Sequence, residues 1–232
     1  MIDIRPFESL GAADHGWLDA HHHFSFADYY DPARMSWGKL RVWNDDRIAS
    51  KSGFPPHPHR DMEIITYVRT GAITHEDSMG NRGRTGAGDV QVMSAASGVV
   101  HAEFNLEDEE TTLFQIWIEP DSRGGAPSWG ARKFPKADRA NNWNVLASGK
   151  GDADALRIKA DARVLGATLE EGKELTYHIP TGRRIYAVPA TGVIEVNGQR
   201  VNARDGVAIE GEAEVVFRAV DGLVEIVLTD TL

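Results

Sequence analysis

Cysteine is absent from the chain. Disulfides, thiolate metal sites and cysteine nucleophiles are thereby excluded. Long apolar runs are absent too. No stretch approaches the length that spans a bilayer, and the opening MIDIRPFESLG lacks the basic and apolar parts of a secretion signal. The expectation is a cytoplasmic chain that does not engage membranes. Positive charge is in deficit: 25 Lys and Arg stand against 35 Asp and Glu, a net charge of -10. That balance opposes phosphate neutralisation, so direct nucleic-acid binding is not expected. Small molecules and protein partners stay open. Helical periodicity is scarce, and no histidine follows His178.

What is present is β pattern. Of 232 residues, 41% are apolar, enough for a substantial core. Short runs rich in β-branched and aromatic residues recur: LRVW (40–43), EIITYV (63–68), DVQVM (89–93), TLFQIWIE (112–119), RIYAV (184–188), GVIEV (192–196), AEVVFRAV (213–220) and LVEIVL (223–228). Glycine, asparagine and aspartate separate them, and Asn197-Gly198 between two such runs is a strong hairpin signal. The pattern predicts an all-β sandwich or barrel. Residues 121–151 are poorest in β signal and read as a connection, with a short helix near 134–140. The chain also repeats itself. Thr70-Gly71-Ala72-Ile73 resembles Thr191-Gly192-Val193-Ile194 at an offset of 121 residues, and Gly88 faces Gly206 at an offset of 118. Two similar β units in tandem are expected. His57 falls on His178, but His59 falls on Pro180 and Glu63 on Arg184, so only the first unit keeps a histidine set.

That set lies in GFPPHPHRDMEIITYV (53–68) and SGVVHAEFN (97–105). Positions i and i+2 of a strand share a face, so His57 and His59 point one way, as do His101 and Glu103. Pro58 suits a strand end at a barrel rim. Two such pairs facing one cavity give three imidazoles and a carboxylate, a ligand set suited to iron, nickel, copper, zinc, cobalt or manganese. In six-coordinate geometry adjacent positions stay open, as catalysis requires. The competing reading, histidines at the surface or hydrogen-bonded in the core, weakens once two pairs occur together. His75, at a turn entry, and His15 read as surface polar residues. The triplet His21-His22-His23 lies inside the chain and is no tag. Glu63 has three open readings: an orienter of a ligand histidine, an alternative ligand, or a surface charge. Gln115, mid-strand among apolar residues, reads as buried and hydrogen-bonded, ahead of a pocket-lining role. Trp37, Trp43, Phe54 and Trp117 are core or pocket walls.

Together HHHFSFADYYDP (21–32), LRVWNDDRIA (40–49), GFPPHPHRDMEIITYV (53–68), HEDSMGN (75–81), GDVQVMSAASGVVHAEFN (88–105) and LFQIWI (113–118) resemble the pirin family of the cupin superfamily. The first cupin motif fits Gly53, His57, His59, Glu63 and Gly71; the second fits Gly98, His101 and Asn105. One departure is Ala96, where the second motif carries proline. The resemblance implies a bicupin, two antiparallel β-barrel (jelly-roll) domains in tandem. Residues 1–140 are expected as an N-terminal metal-binding cupin domain and 141–232 as a degenerate cupin domain without metal. The family's ligands carry over to His57, His59, His101 and Glu103, with iron the first choice of metal. The resemblance also implies an activity of quercetin 2,3-dioxygenase type: oxidative opening of a flavonol's central ring by dioxygen, with release of carbon monoxide and with Glu103 as the catalytic base. Two alternatives are a non-enzymatic regulatory protein that binds a transcription factor or an enzyme, and an oxygenase or isomerase acting on another enolisable molecule.

Overall fold

Strands account for nearly all the regular structure in the computed structural model, which describes residues 1–232. The exceptions are two short 3-10 turns, Phe7–Ser9 and Lys136–Arg139, the second within the predicted 134–140 stretch. The strands form two units of one plan. In the first, a seven-stranded antiparallel sheet runs in the order Ser128–Arg132, Val90–Ser94, Glu63–Thr70, Thr111–Ile118, Leu40–Ile48, Leu18–His22, Gly11–Asp14. Facing it is a four-stranded sheet ordered Ser52–His59, Val99–Asn105, Ala72–Asp77, Arg82–Gly86. The second unit repeats the short order and the inner five strands of the long one. Its long sheet runs Ile2–Arg5, Gly206–Glu210, Arg184–Pro189, Val224–Thr231, Ala162–Leu169, Asn144–Ser148, Leu156–Arg157, and its short sheet runs Glu174–His178, Glu214–Asp221, Val193–Val196, Gln199–Val201. The offset repeat is therefore a topological one.

The edge strands escape the sequence pattern. Ile2–Arg5 pairs antiparallel with Gly206–Glu210, so the strand that opens the chain completes the sheet of the second unit. Within the 121–151 connection lie two strands: Ser128–Arg132, which closes the edge of the first sheet, and Asn144–Ser148, which enters the second. The Asn-Gly hairpin forms as its chemistry requires. Asn197 and Gly198 take φ of 46° and 77° between Val193–Val196 and Gln199–Val201, the doubly left-handed turn that matches strand twist.

Side chains alternate across each long sheet. Ile65 and Tyr67 point outward into a core of 22 buried residues that also holds Phe114, Tyr186, Val188 and Val227. The two long sheets thus pack back to back across one shared apolar layer. Ile64, Thr66 and Val68 point inward. The interior of the second unit is a continuous apolar cluster that includes Leu165, Ala187, Ile194, Val207, Phe217 and Leu228. The first unit's interior is divided: one small cluster holds Leu18, Ile48, Val68, Ile73 and Leu113, another Ile64, Met93, Ala95 and Val99. Polar residues lie between them.

Candidate metal centre

The strands Ser52–His59 and Val99–Asn105 pair antiparallel with His101 opposite His57. Ser52–His59 is the edge of its sheet, which is why prolines at 55, 56 and 58 are tolerated. The imidazoles of His57, His59 and His101 converge, with ring centroids 4.5 to 4.9 Å apart and a nitrogen from each within 4.8 Å of the others. Their free lone pairs can be traced. His57 donates Nδ1–H to the Pro55 carbonyl at 2.7 Å, so the lone pair of the neutral ring lies on Nε2. Nε2 of His101 is buried without any partner. Burial, reinforced by the neighbouring imidazoles, pushes His59 down to about 4 and His101 down to about 2. Both rings are therefore neutral at physiological pH, as metal ligation demands. Three imidazoles converging on one point, one with an orphaned buried lone pair, fit a divalent cation.

Glu103 lies beside this group but not within it. A β-bulge separates it from His101, and its carboxylate groups within 4.8 Å with His75 and His101 rather than with His57 and His59. It is buried, and its oxygens accept three donors from the opposite sheet. Gln91 Nε2 donates to Oε1 at 2.6 Å, Gln115 Nε2 to Oε2 at 2.8 Å, and Thr66 Oγ1 to Oε1 at 3.3 Å. Burial raises the carboxyl to about 7 against the pull of those donors. Gln115 is thus both nearly buried and lining the cavity.

These donors belong to one row. His22, Asn44, Gln115, Thr66 and Gln91 are cross-strand neighbours in turn, five polar residues side by side across the inner face of the long sheet. His22 Nδ1 bonds Asn44 Oδ1 at 2.9 Å, and the single Thr66 hydroxyl proton is shared between Gln115 Oε1 at 2.8 Å and Glu103 Oε1 at 3.3 Å. In the second unit the same row reads Val145, Leu165, Leu228, Ala187, Val207. One barrel has a polar rung where the other has an aliphatic one.

Above the histidines a cavity of about 390 Å³ opens between aromatic walls that include Trp17, Phe26, Phe54 and Trp117. His15 is at its exposed rim, and Asp46 lines it with a buried, unpartnered Oδ1. Trp43 is wholly buried in the core between the units, and Trp37 packs against that core.

Other readings change. His75 is not a surface residue: it is fully buried on Ala72–Asp77, with its ring stacked on Trp129 at 4.8 Å. The turn signal around it concealed this, because the covering tryptophan comes from a distant edge strand. Glu63 is buried on the outward face, bonded to Ser94 Oγ at 2.7 Å, and so faces away from the histidines. None of its three readings holds. His178 is largely exposed beside Glu214 in the second unit, apart from any metal-competent group.

Residues 4–118 match the family model described as Pirin, and residues 145–230 match the quercetinase C-terminal cupin domain. A pirin-like protein from Caulobacter vibrioides is 64% identical over 99% of both chains. The chain belongs to the pirin family. A protein of Escherichia coli named quercetin 2,3-dioxygenase is 38% identical over 99% of this chain and 98% of its own. The nickel(II) complex of the bacterial pirin YhhW, also from Escherichia coli, superposes with a TM-score of 0.94 at 37% identity, covering 100% of this chain and 99% of that one. The two units are accordingly the two cupin domains of a bicupin. The pirin fold also accounts for Ala96. Its φ of 43° lies in the left-handed region, which a proline ring cannot adopt, so this turn excludes the proline of the general motif.

Proposed function

We propose that this protein is a metal-dependent dioxygenase of quercetin 2,3-dioxygenase type, opening the central ring of a flavonol with dioxygen and releasing carbon monoxide. The observation that carries this reading is the placement of three lone-pair-bearing imidazoles and one buried carboxylate at the floor of an aromatic-walled cavity. His57, His59 and His101 hold the metal, and Glu103, whose carboxylate stands next to His101 at the edge of that group, is drawn in as fourth ligand when the ion binds. Iron is the first choice; zinc, nickel, copper, cobalt and manganese suit the same donors. When bound, the ion supplies Lewis acidity and a template for the flavonol's 3-hydroxyl and neighbouring carbonyl.

The chain's own residues do the rest. Trp117 and Phe54 offer flat apolar faces to a flat aromatic substrate and exclude water from it. Glu103 accepts the 3-hydroxyl proton when its bond to the ion is released, as a general base within reach of the substrate. Gln91 and Gln115 keep its oxygens oriented as it does so. Asp46 presents an uncompensated carboxyl to a hydroxyl elsewhere on the polyphenol.

The test is oxygen uptake and carbon monoxide release with quercetin, using protein of measured metal content. Wild-type protein should consume oxygen and release carbon monoxide in equal amounts, and His101→Ala should lose both metal and turnover. Absence of turnover in fully iron-loaded and nickel-loaded protein would overturn the dioxygenase reading in favour of a non-enzymatic metal-binding module.

A further inference from the structure

His101 has one ring nitrogen for the metal site; its other nitrogen meets His75. Nδ1 of His101 lies 3.3 Å from Nδ1 of His75, and Nε2 of His75 lies 3.0 Å from Oδ2 of Asp77. The direction of this chain is determined by its far end. The Asp77 carboxylate accepts the backbone N–H groups of Met79 and Asn81 at 2.9 and 3.0 Å and the Asn81 side-chain amide at 2.9 Å. An ionised carboxylate can only accept, so Nε2 of His75 carries the proton. In a neutral imidazole Nδ1 is then the lone pair, and it can only accept from His101. His101 must therefore carry its proton on Nδ1. Its lone pair sits on Nε2, the buried atom without a partner beside His57 and His59.

We propose that His75 is a positioning residue: backed by Asp77, it locks His101 in the one tautomer and orientation that can ligate a metal. The inference rests on the metal-binding part of the reading above and is independent of the flavonol part.

Three features of the chain support this relay. The turn DSMGN (77–81) wraps the Asp77 carboxylate with its own N–H groups. Trp129 stacks on His75 with ring planes 7° apart. Gly83, the cross-strand neighbour of His75, leaves room for that tryptophan, because a Cβ there would sit 2.3 Å from Trp129 Cη2. His75 itself, though near Glu103 and His101, is no ligand: both its nitrogens are already engaged.

The test uses the full chain, His75→Phe and Asp77→Asn. Phenylalanine keeps a flat ring under Trp129 but accepts nothing from His101. Asparagine is isosteric, yet its amide oxygen and N–H₂ no longer dictate which nitrogen of His75 is protonated. Ring-nitrogen NMR of the metal-free protein should show His101 protonated on Nδ1 in the wild type and as a tautomer mixture in both variants. Zinc(II) affinity, measured by competition with a chromophoric chelator, should fall roughly 10–100-fold in each. The thermal midpoint of metal-free Asp77→Asn serves as control for folding. A proton on Nε2 of His101 in the wild type would overturn the proposal, as would variants with wild-type zinc affinity. Should wild-type protein bind no zinc, the metal reading fails, while the tautomer measurement still decides the relay.

Discussion

Asp46 is a carboxyl with no partner. It is 2% exposed, Oδ1 is sealed from solvent, and burial, with help from the charges of Asp45 and Glu103, pushes its pKa well above the usual carboxylate range. Above the ordinary value of 3.8 the unfolded chain releases this proton while the folded chain retains it. Stability from this group is thus complete below that value and is lost as pH rises through the folded pKa. Asparagine has the same shape and no charge to bury. Asp46→Asn should therefore match the wild type near pH 4 and exceed it at pH 8, by about 1–3 kcal/mol. Urea unfolding of metal-free protein at both values checks this, and a gap that fails to widen with pH contradicts it. Asp46 could not have been read from NDDRIA, because its isolation depends on Ala20 and Leu113, the apolar neighbours that other strands place beside it. His57, His59 and His101 were legible, since an i,i+2 pair on a strand carries its own geometry. His75 and Asp77 share that spacing, yet their meaning came from Trp129 and His101, which no local pattern around 75–81 includes.

Single strands carry the difference between the two barrels. Both were legible as β runs, and the offset of 121 residues aligned them, because hairpin turns and apolar alternation are local chemistry. The edge strands Ile2–Arg5 and Ser128–Arg132 were not, since an edge strand is defined by the neighbour that accepts its hydrogen bonds. The inner rows show what divergence has done. Thr66 sits where the second unit has Ala187, and Gln115 where it has Leu228. Glu103 is tolerable inside the first barrel because Gln91, Gln115 and Thr66 donate to it. Gln115→Leu would give the first barrel its sister's residue, but the Glu103 carboxylate would lose a donor at 2.8 Å. The cost should be about 1–3 kcal/mol, the penalty for an unsatisfied buried polar group. Leu228→Gln should destabilise by a similar amount for the opposite reason, because its amide enters a barrel with no polar rung to receive it. Denaturant midpoints of the two variants test this. If Gln115→Leu is neutral, the rung does not support Glu103.

The whole molecule is built so that neither barrel stands alone. The long sheets share one apolar core, and polar ties cross it. Tyr67 of the first unit donates its hydroxyl to Glu225 of the second at 2.8 Å and accepts from Arg139 at 2.9 Å. His23 bonds the Tyr186 hydroxyl at 2.8 Å. Asp45, next in sequence to Asp46, is clamped between Arg69 of its own unit and Arg204 of the other. Separating the units would expose that core and break the hydrogen bonds from Tyr67 to Glu225 and from His23 to Tyr186. Unfolding should therefore be a single transition, and a ligand held only by the first barrel should protect the second. A metal at one hundred times its dissociation constant adds about 2.7 kcal/mol to the stability of whatever unfolds with its site. Zinc(II) should consequently slow hydrogen exchange of the most protected amides of Val224–Thr231, the central strand of the second unit, as much as those of Thr111–Ile118 in the first. Protection confined to Thr111–Ile118 would mean that the barrels open independently and that the shared core does not couple them.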